Sequence, residues 1–146
     1  MKREYLNEVF GLLDKVSDIK WTDADEGQLD YYTQERPPVG FPCCLVELSM
    51  PDTKILSSMS PVQRSQLRLT LTIAFHDCAS LNTKAPKMVR ETAMKRYDIL
   101  EKIKAAVNGQ WFEGFQQPWL RRSCIPVKRE DGLKVFEMTF EAAVID

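Results

Sequence analysis

The stretch QRSQLRLTLTIAFH, Gln63 to His76, sets Leu67, Leu69, Leu71, Ile73 and Phe75 at every second position, with Gln66, Arg68, Thr70, Thr72 and His76 between them. A period of two puts the apolar set on one face of an extended chain and predicts a half-buried strand. LKVFEMTFEAAVI, Leu133 to Ile145, repeats the pattern. Phe136, Met138, Phe140, Ala142 and Val144 share one face, and Lys134, Glu137, Thr139 and Glu141 mostly face the other way. It reads as a second strand of the same sheet. One greasy face and one face of charge and hydroxyls predict helices on one side and water or a partner on the other.

The rest of the chain supplies those helices. Leu6, Val9, Phe10, Leu13 and Val16 fall at helical spacing, so a helix is expected over about Arg3 to Val16. A second is expected from Pro86 to about Val107, with Val89, Ala93, Tyr97, Leu100, Ile103 and Val107 as its stripe and Asn108-Gly109 as its stop. Ile19 and Trp21 suit a short strand before an acidic turn. Arg36-Pro37-Pro38 leads into Phe41 to Leu48, apolar on both faces and therefore read as a central strand. Ser49 to Gln63 holds Pro51 and Pro61 without a consistent period, and is expected to be a long loop or a protruding hairpin. Trp111, Phe112, Phe115, Pro118 and Trp119 are too broken by Gly and Pro for a regular helix; they either cover one end of the core or line a ligand pocket. Ser123 to Lys128 reads as a strand, joined to the last one through Arg129-Glu130-Asp131-Gly132. The sum is an α+β fold: a largely antiparallel β-sheet with two main helices packed on one face, in one domain spanning 1–146. A doubly wound parallel fold lacks the crossovers it needs.

Composition limits the function. With 20 basic and 21 acidic residues among 146, the formal charge is -1, which argues against a protein whose main task is to hold nucleic acid. No apolar run approaches the ~20 residues that cross a bilayer, and the charged start Met1 to Phe10 is unlike a signal peptide, so a cytoplasmic origin without a membrane role is expected. Cys43, Cys44, Cys78 and Cys124 have no disulfide-framework spacing and are expected as reduced thiols. A metal site drawing on Cys43, Cys44, Cys78 and His76 would lack the paired short spacings of zinc sites. Phosphate loops, zinc-protease signatures and nucleophile elbows are absent. The remaining enzymatic alternative is a Cys-His pair, for which the sequence shows neither an orienting group nor a cleft.

The layout resembles the tail-terminator, or tail-completion, proteins of long-tailed phages and prophages. The matching features are the amphipathic N-terminal helix, the Arg36-Pro37-Pro38 lead into Phe41-Pro42-Cys43-Cys44-Leu45-Val46-Glu47-Leu48, and the long alternating strand after a variable loop. The helix ending Val107-Asn108-Gly109 and the closing hairpin from Cys124 through Asp131-Gly132 to Ala142 complete the likeness. The resemblance covers most of the chain and implies a non-enzymatic subunit, without cofactor, that forms a homo-oligomeric ring with a hexamer as the expected size. It further implies a ring that caps the tail tube and offers a surface for head joining, with tail-tube and head-connector proteins as partners and DNA met only in passage. Assembly in the host cytoplasm and residence in the virion tail follow from the same likeness.

Ring closure needs two different patches on each subunit. Met50 and Met59 either tuck onto the domain or contact a neighbour. Trp119, Arg121 and Arg122 belong to a segment expected to reach a neighbour, and Arg64, Arg68, Arg121, Arg122, Lys128 and Arg129 are expected along a channel faced by Gln66, Arg68, Thr70 and Thr72. The rival from another class is a monomeric or dimeric protein-binding module that uses a sheet edge or the aromatic segment. A cysteine-dependent enzyme is third.

Overall fold

A computed structural model describes Met1–Asp146. The elements run α1 (Arg3–Leu13), β1 (Trp21–Ala24), β2 (Cys43–Ser57), β3 (Ser60–Phe75), α2 (Lys87–Val107), β4 (Phe115–Val127) and β5 (Lys134–Ile145). The five strands form one sheet in the order β1-β2-β3-β5-β4. β1 runs parallel to β2 and every other pairing is antiparallel. Two hairpins, β2–β3 and β4–β5, therefore make most of the sheet. α2 carries the chain past the place that β5 later fills.

β3 is the middle strand, and Leu67, Leu69, Leu71, Ile73 and Phe75 are all buried along it. Facing them across the register are Cys44 and Val46 from β2 and Met138, Phe140 and Ala142 from β5. Tyr5, Val9 and Leu13 of α1 and Leu100, Ile103 and Val107 of α2 close this core from one side. Each such aliphatic side chain contributes about 1.5–3 kcal/mol by leaving water, so this face holds the fold together.

The opposite face is only partly open. At one end Leu29, Val39, Cys43, Leu45, Ala74, Leu133 and Val135 form a second, smaller core under the segment 25–41. This explains why Phe41 to Leu48 is apolar on both faces, although β3 rather than β2 is the centre of the sheet. Arg129 pins the covering segment: its Nη1 donates to Asp30 Oδ1 at 2.8 Å and its Nη2 to the Leu29 carbonyl at 2.9 Å and Asp131 Oδ2 at 2.7 Å. Committed to these partners, Arg129 is a clasp for the covering segment.

Two expectations about elements need correction, at α1 and β4, and one open alternative is decided. α1 ends at Leu13 instead of Val16, although Val16 still packs into the core after a single turn closed by its N–H on the Leu13 carbonyl. Of the two readings of Ser49 to Gln63, loop or protruding hairpin, the structure has the hairpin: both arms are strand, turning at 58–59. Its period is lost because the pairing slips between Ser49 and Asp52, around Pro51, and again between Ile55 and Ser57. The first slip lies at Pro51, which has no N–H to give a ladder, and each bulge resets which face the following side chains occupy. β4 begins at Phe115, well before Ser123, and runs through Pro118 with three register shifts. As an edge strand it has a free side on which a proline breaks no ladder bond.

Candidate interaction surface

The residues between the buried positions of β3 and β5 make the polar face of the sheet. Arg68 lies opposite Glu141, Thr70 opposite Thr139, and Thr72 opposite Glu137. Glu141 is the hub. Its carboxylate accepts from Gln66 Nε2 at 2.8 Å, Arg68 Nη2 at 3.2 Å and Arg122 Nε at 3.2 Å. The glutamate side chain is 18% exposed, whereas those of Arg68 and Arg122 are 45% and 54% exposed, so the acid sits beneath the two cations. Beside it a cavity of about 120 Å³ is lined by Asp52, Lys54, Arg64, Gln66, Gln117 and Arg122, among others.

β4 explains how Arg122 arrives there. Arg121 is opposite Phe140 and Ser123 opposite Thr139, leaving Arg122 as the extra residue of a bulge that aims it at Glu141. Arg121 goes to the helical side. It lines a groove of about 320 Å³ with Tyr97, Leu100, Glu101, Cys124 and Phe136, and its N–H donates to Asn108 Oδ1 at 2.9 Å. The two neighbouring arginines thus belong to different surfaces.

Past the pairing of Arg64 with Ile145, the β2–β3 hairpin has no third strand and projects as an arm. Ile55, Leu56 and Val62 are exposed on it, and Met59, at the turn, is 92% exposed. Met50, nearer the base, packs against the main core. Trp119 requires a correction, because it is wholly buried. Its ring meets Phe115 edge-on at 5.3 Å and Phe112 at 6.3 Å, and the Phe115 ring touches Tyr5 of α1 at 5.7 Å. The aromatic segment seals one end of the core, so Trp119 cannot reach a neighbour from there.

The groups of the Cys-His alternative lie in other surroundings. Cys43 and Cys44 are buried, and burial pushes the Cys43 thiol up to about 11 and that of Cys44 higher still. Desolvation also raises the exposed Cys124 thiol, so a thiolate is disfavoured at these three positions. Asp77, beside His76, is taken by Arg96: Nε donates to Oδ2 at 2.9 Å, Nη2 donates to Oδ1, and Nη2 also reaches the Ala79 carbonyl at 2.9 Å. His76 lies against the Phe41 ring at 5.4 Å. No group of three or more His, Cys, Asp or Glu side chains is arranged to hold a metal ion. No helix is long and apolar enough to cross a membrane.

Sequence reasoning selected Arg64, Arg68 and Arg122 singly and missed Glu141, which gathers two of them. The polar parity of Glu141 on β5 was visible, but its partners depend on a register between strands some 70 residues apart.

No protein-family model matches the chain, and no curated protein matches it. Among solved structures, a chain described as "Virion of native gene transfer agent (GTA) particle" is similar, with a TM-score of 0.51 and 11% identity over 94% of this chain and 92% of that one. At that identity the likeness is one of fold.

Proposed function

We propose that this chain is a phage-type virion structural protein, and within that class a tail-terminator subunit that assembles into a ring capping the tail tube and presenting a surface for head joining. The observation that carries the reading is that the chain shares its fold, over nearly its whole length, with a chain of a gene transfer agent virion. The sequence layout points to the same class independently.

The surfaces suit head-to-tail assembly. The sheet has two unlike edges: β4 along one side, and on the other the short β1 followed by β2 beyond Val46, where pairing with β1 stops. Long open edges invite strand addition unless something covers them. The apolar tip of the arm adds a patch with no partner in its own subunit, and two unlike patches on one subunit close a ring through a heterologous interface. In this reading Met59, Ile55 and Leu56 reach the neighbour, Arg121 lies at the β4 edge, and the face bearing Arg64, Arg68 and Arg122 turns toward a channel. The tail tube and head-connector proteins are the partners, and DNA is met during passage. Assembly takes place in the host cytoplasm and the finished ring stays in the virion tail.

Light scattering after size exclusion, across a concentration series, tests the assembly. A ring-sized species that Met59→Asp abolishes without lowering the melting temperature supports it. A particle that stays at 16.9 kDa at every concentration overturns self-assembly by this chain. That result would favour the second reading, a protein-binding module, for which the groove between α2 and β4 is the specific feature.

A further inference from the structure

We infer that the polar face around Glu141 is a weak phosphodiester-binding site, and that its occupant is the backbone of duplex DNA. The choice of DNA as the source of the phosphate rests on the virion reading above; the phosphate chemistry rests on the cluster itself.

The charges do not balance. Arg68 and Arg122 share the single carboxylate of Glu141, and Arg64 and Lys54 lie alongside with Asp52 as the other acid, giving four cations to two carboxylates. Lys54 and Asp52 approach only to 4.0 Å with both side chains well exposed, a contact that contributes little. Lys54 is also directly opposite Arg64 in the register. Like charges facing each other across a strand pair are destabilising, and a bound anion between them removes the repulsion.

The geometry suits a phosphate. Guanidinium groups present planar, directed donors that match phosphate oxygens, and here those of Arg64 and Arg122 border a polar cavity into which Gln117 also opens, with Arg68 reaching the same Glu141 carboxylate. Glu141 has two effects. Lying beneath the arginines, it holds their heads at the surface, and its charge opposes any anion that approaches. The site is therefore built to touch a polyanion without retaining it. A chain of net charge -1 adds no long-range field to strengthen the hold.

Fluorescence anisotropy of a short labelled duplex, repeated over a salt series starting at low ionic strength, tests this. Two net cations at about 0.9 per phosphate give a slope of log affinity against log salt of about -2 for the wild-type chain. Arg68→Ala or Arg122→Ala brings it to about -1, and Glu141→Gln steepens it to about -3. Lys102→Ala, which removes a cation paired with Asp18 on the helical side, leaves it unchanged. Where Glu141→Gln does not fold, Lys54→Ala and Arg64→Ala carry the test, each expected to flatten the slope by about one.

Absence of binding at low salt, or slopes indifferent to the arginine substitutions, overturns the site. Inorganic phosphate alone, followed through the arginine Nε–H resonances, is expected to leave them unmoved at concentrations matching the DNA phosphate. Saturation by inorganic phosphate as tight as by the duplex overturns the assignment to DNA. The mass of the same samples separates the two proposals: a monomer with these slopes upholds the site and sinks the ring, and a ring without binding does the reverse.

Discussion

The Arg96–Asp77 pair is where a single substitution should report most clearly on what holds α2 to the sheet. Arg96 is nearly buried, with its side chain 7% exposed, and Asp77 is 26% exposed. Asp77 accepts from Arg96 Nε and Nη2 and from the Ala79 N–H, so it ties the strand-to-helix connection at both ends. Breaking a fully buried pair costs about 3–5 kcal/mol. Water reaches this carboxylate, so Asp77→Ala and Arg96→Met are each expected to cost about 2–3 kcal/mol. For a chain of this size that lowers the melting temperature by about 5–10 °C. Removing both side chains leaves no unpaired charge. The double variant should therefore cost little more than either single one, with a coupling energy of about 1.5–2 kcal/mol from urea unfolding.

The Arg96 guanidinium, through its hydrogen bonds, holds the Asp77 carboxyl below its ordinary 3.8. A depressed carboxyl contributes stability that is present above its unfolded value and lost as pH falls through its folded value. The gap between wild type and Asp77→Ala should thus stay level from neutral pH down to the 3.8 of the unfolded carboxyl and close below it. Single costs that simply add in the double variant, or a gap indifferent to acid, would refute the reasoning.

Leu69→Ala, at a wholly buried position of the middle strand, should cost about 2–5 kcal/mol in the same unfolding assay, against less than about 0.5 kcal/mol for Met59→Ser at the exposed arm tip. Trp119→Ala is expected to cost about 3–5 kcal/mol, and a near-neutral result would return Trp119 to the surface. A thiol reagent applied to native protein should modify Cys78 and Cys124 first, leaving Cys43 and Cys44 untouched until urea is added. Four equally fast thiols would contradict the second core.

Periodicity disclosed much of the architecture, because burial on one face writes itself into alternation and helical stripes. β3 and β5 were legible to within a few residues, and α2 nearly to its ends. Legibility failed where backbone irregularity broke the parity. The slips at Pro51 and between Ile55 and Ser57 left the arm of β2 undecided between a loop and a hairpin, and Pro118 with its neighbouring bulges hid half of β4. The candidate surface was harder still. Arg121 and Arg122 look alike in sequence, yet a bulge sends one to the helical side and the other to Glu141.

Strand and helix content, the apolar faces and the near-neutral charge followed from the order of residues, since each depends on near neighbours along the chain. The strand order, the covering of one end of the polar face by 25–41, the burial of Trp119 and the meeting of Gln66, Arg68 and Arg122 at Glu141 were decided by tertiary structure. These depend on register and crossover between distant segments, and a shift of one residue in register exchanges the faces of a whole strand.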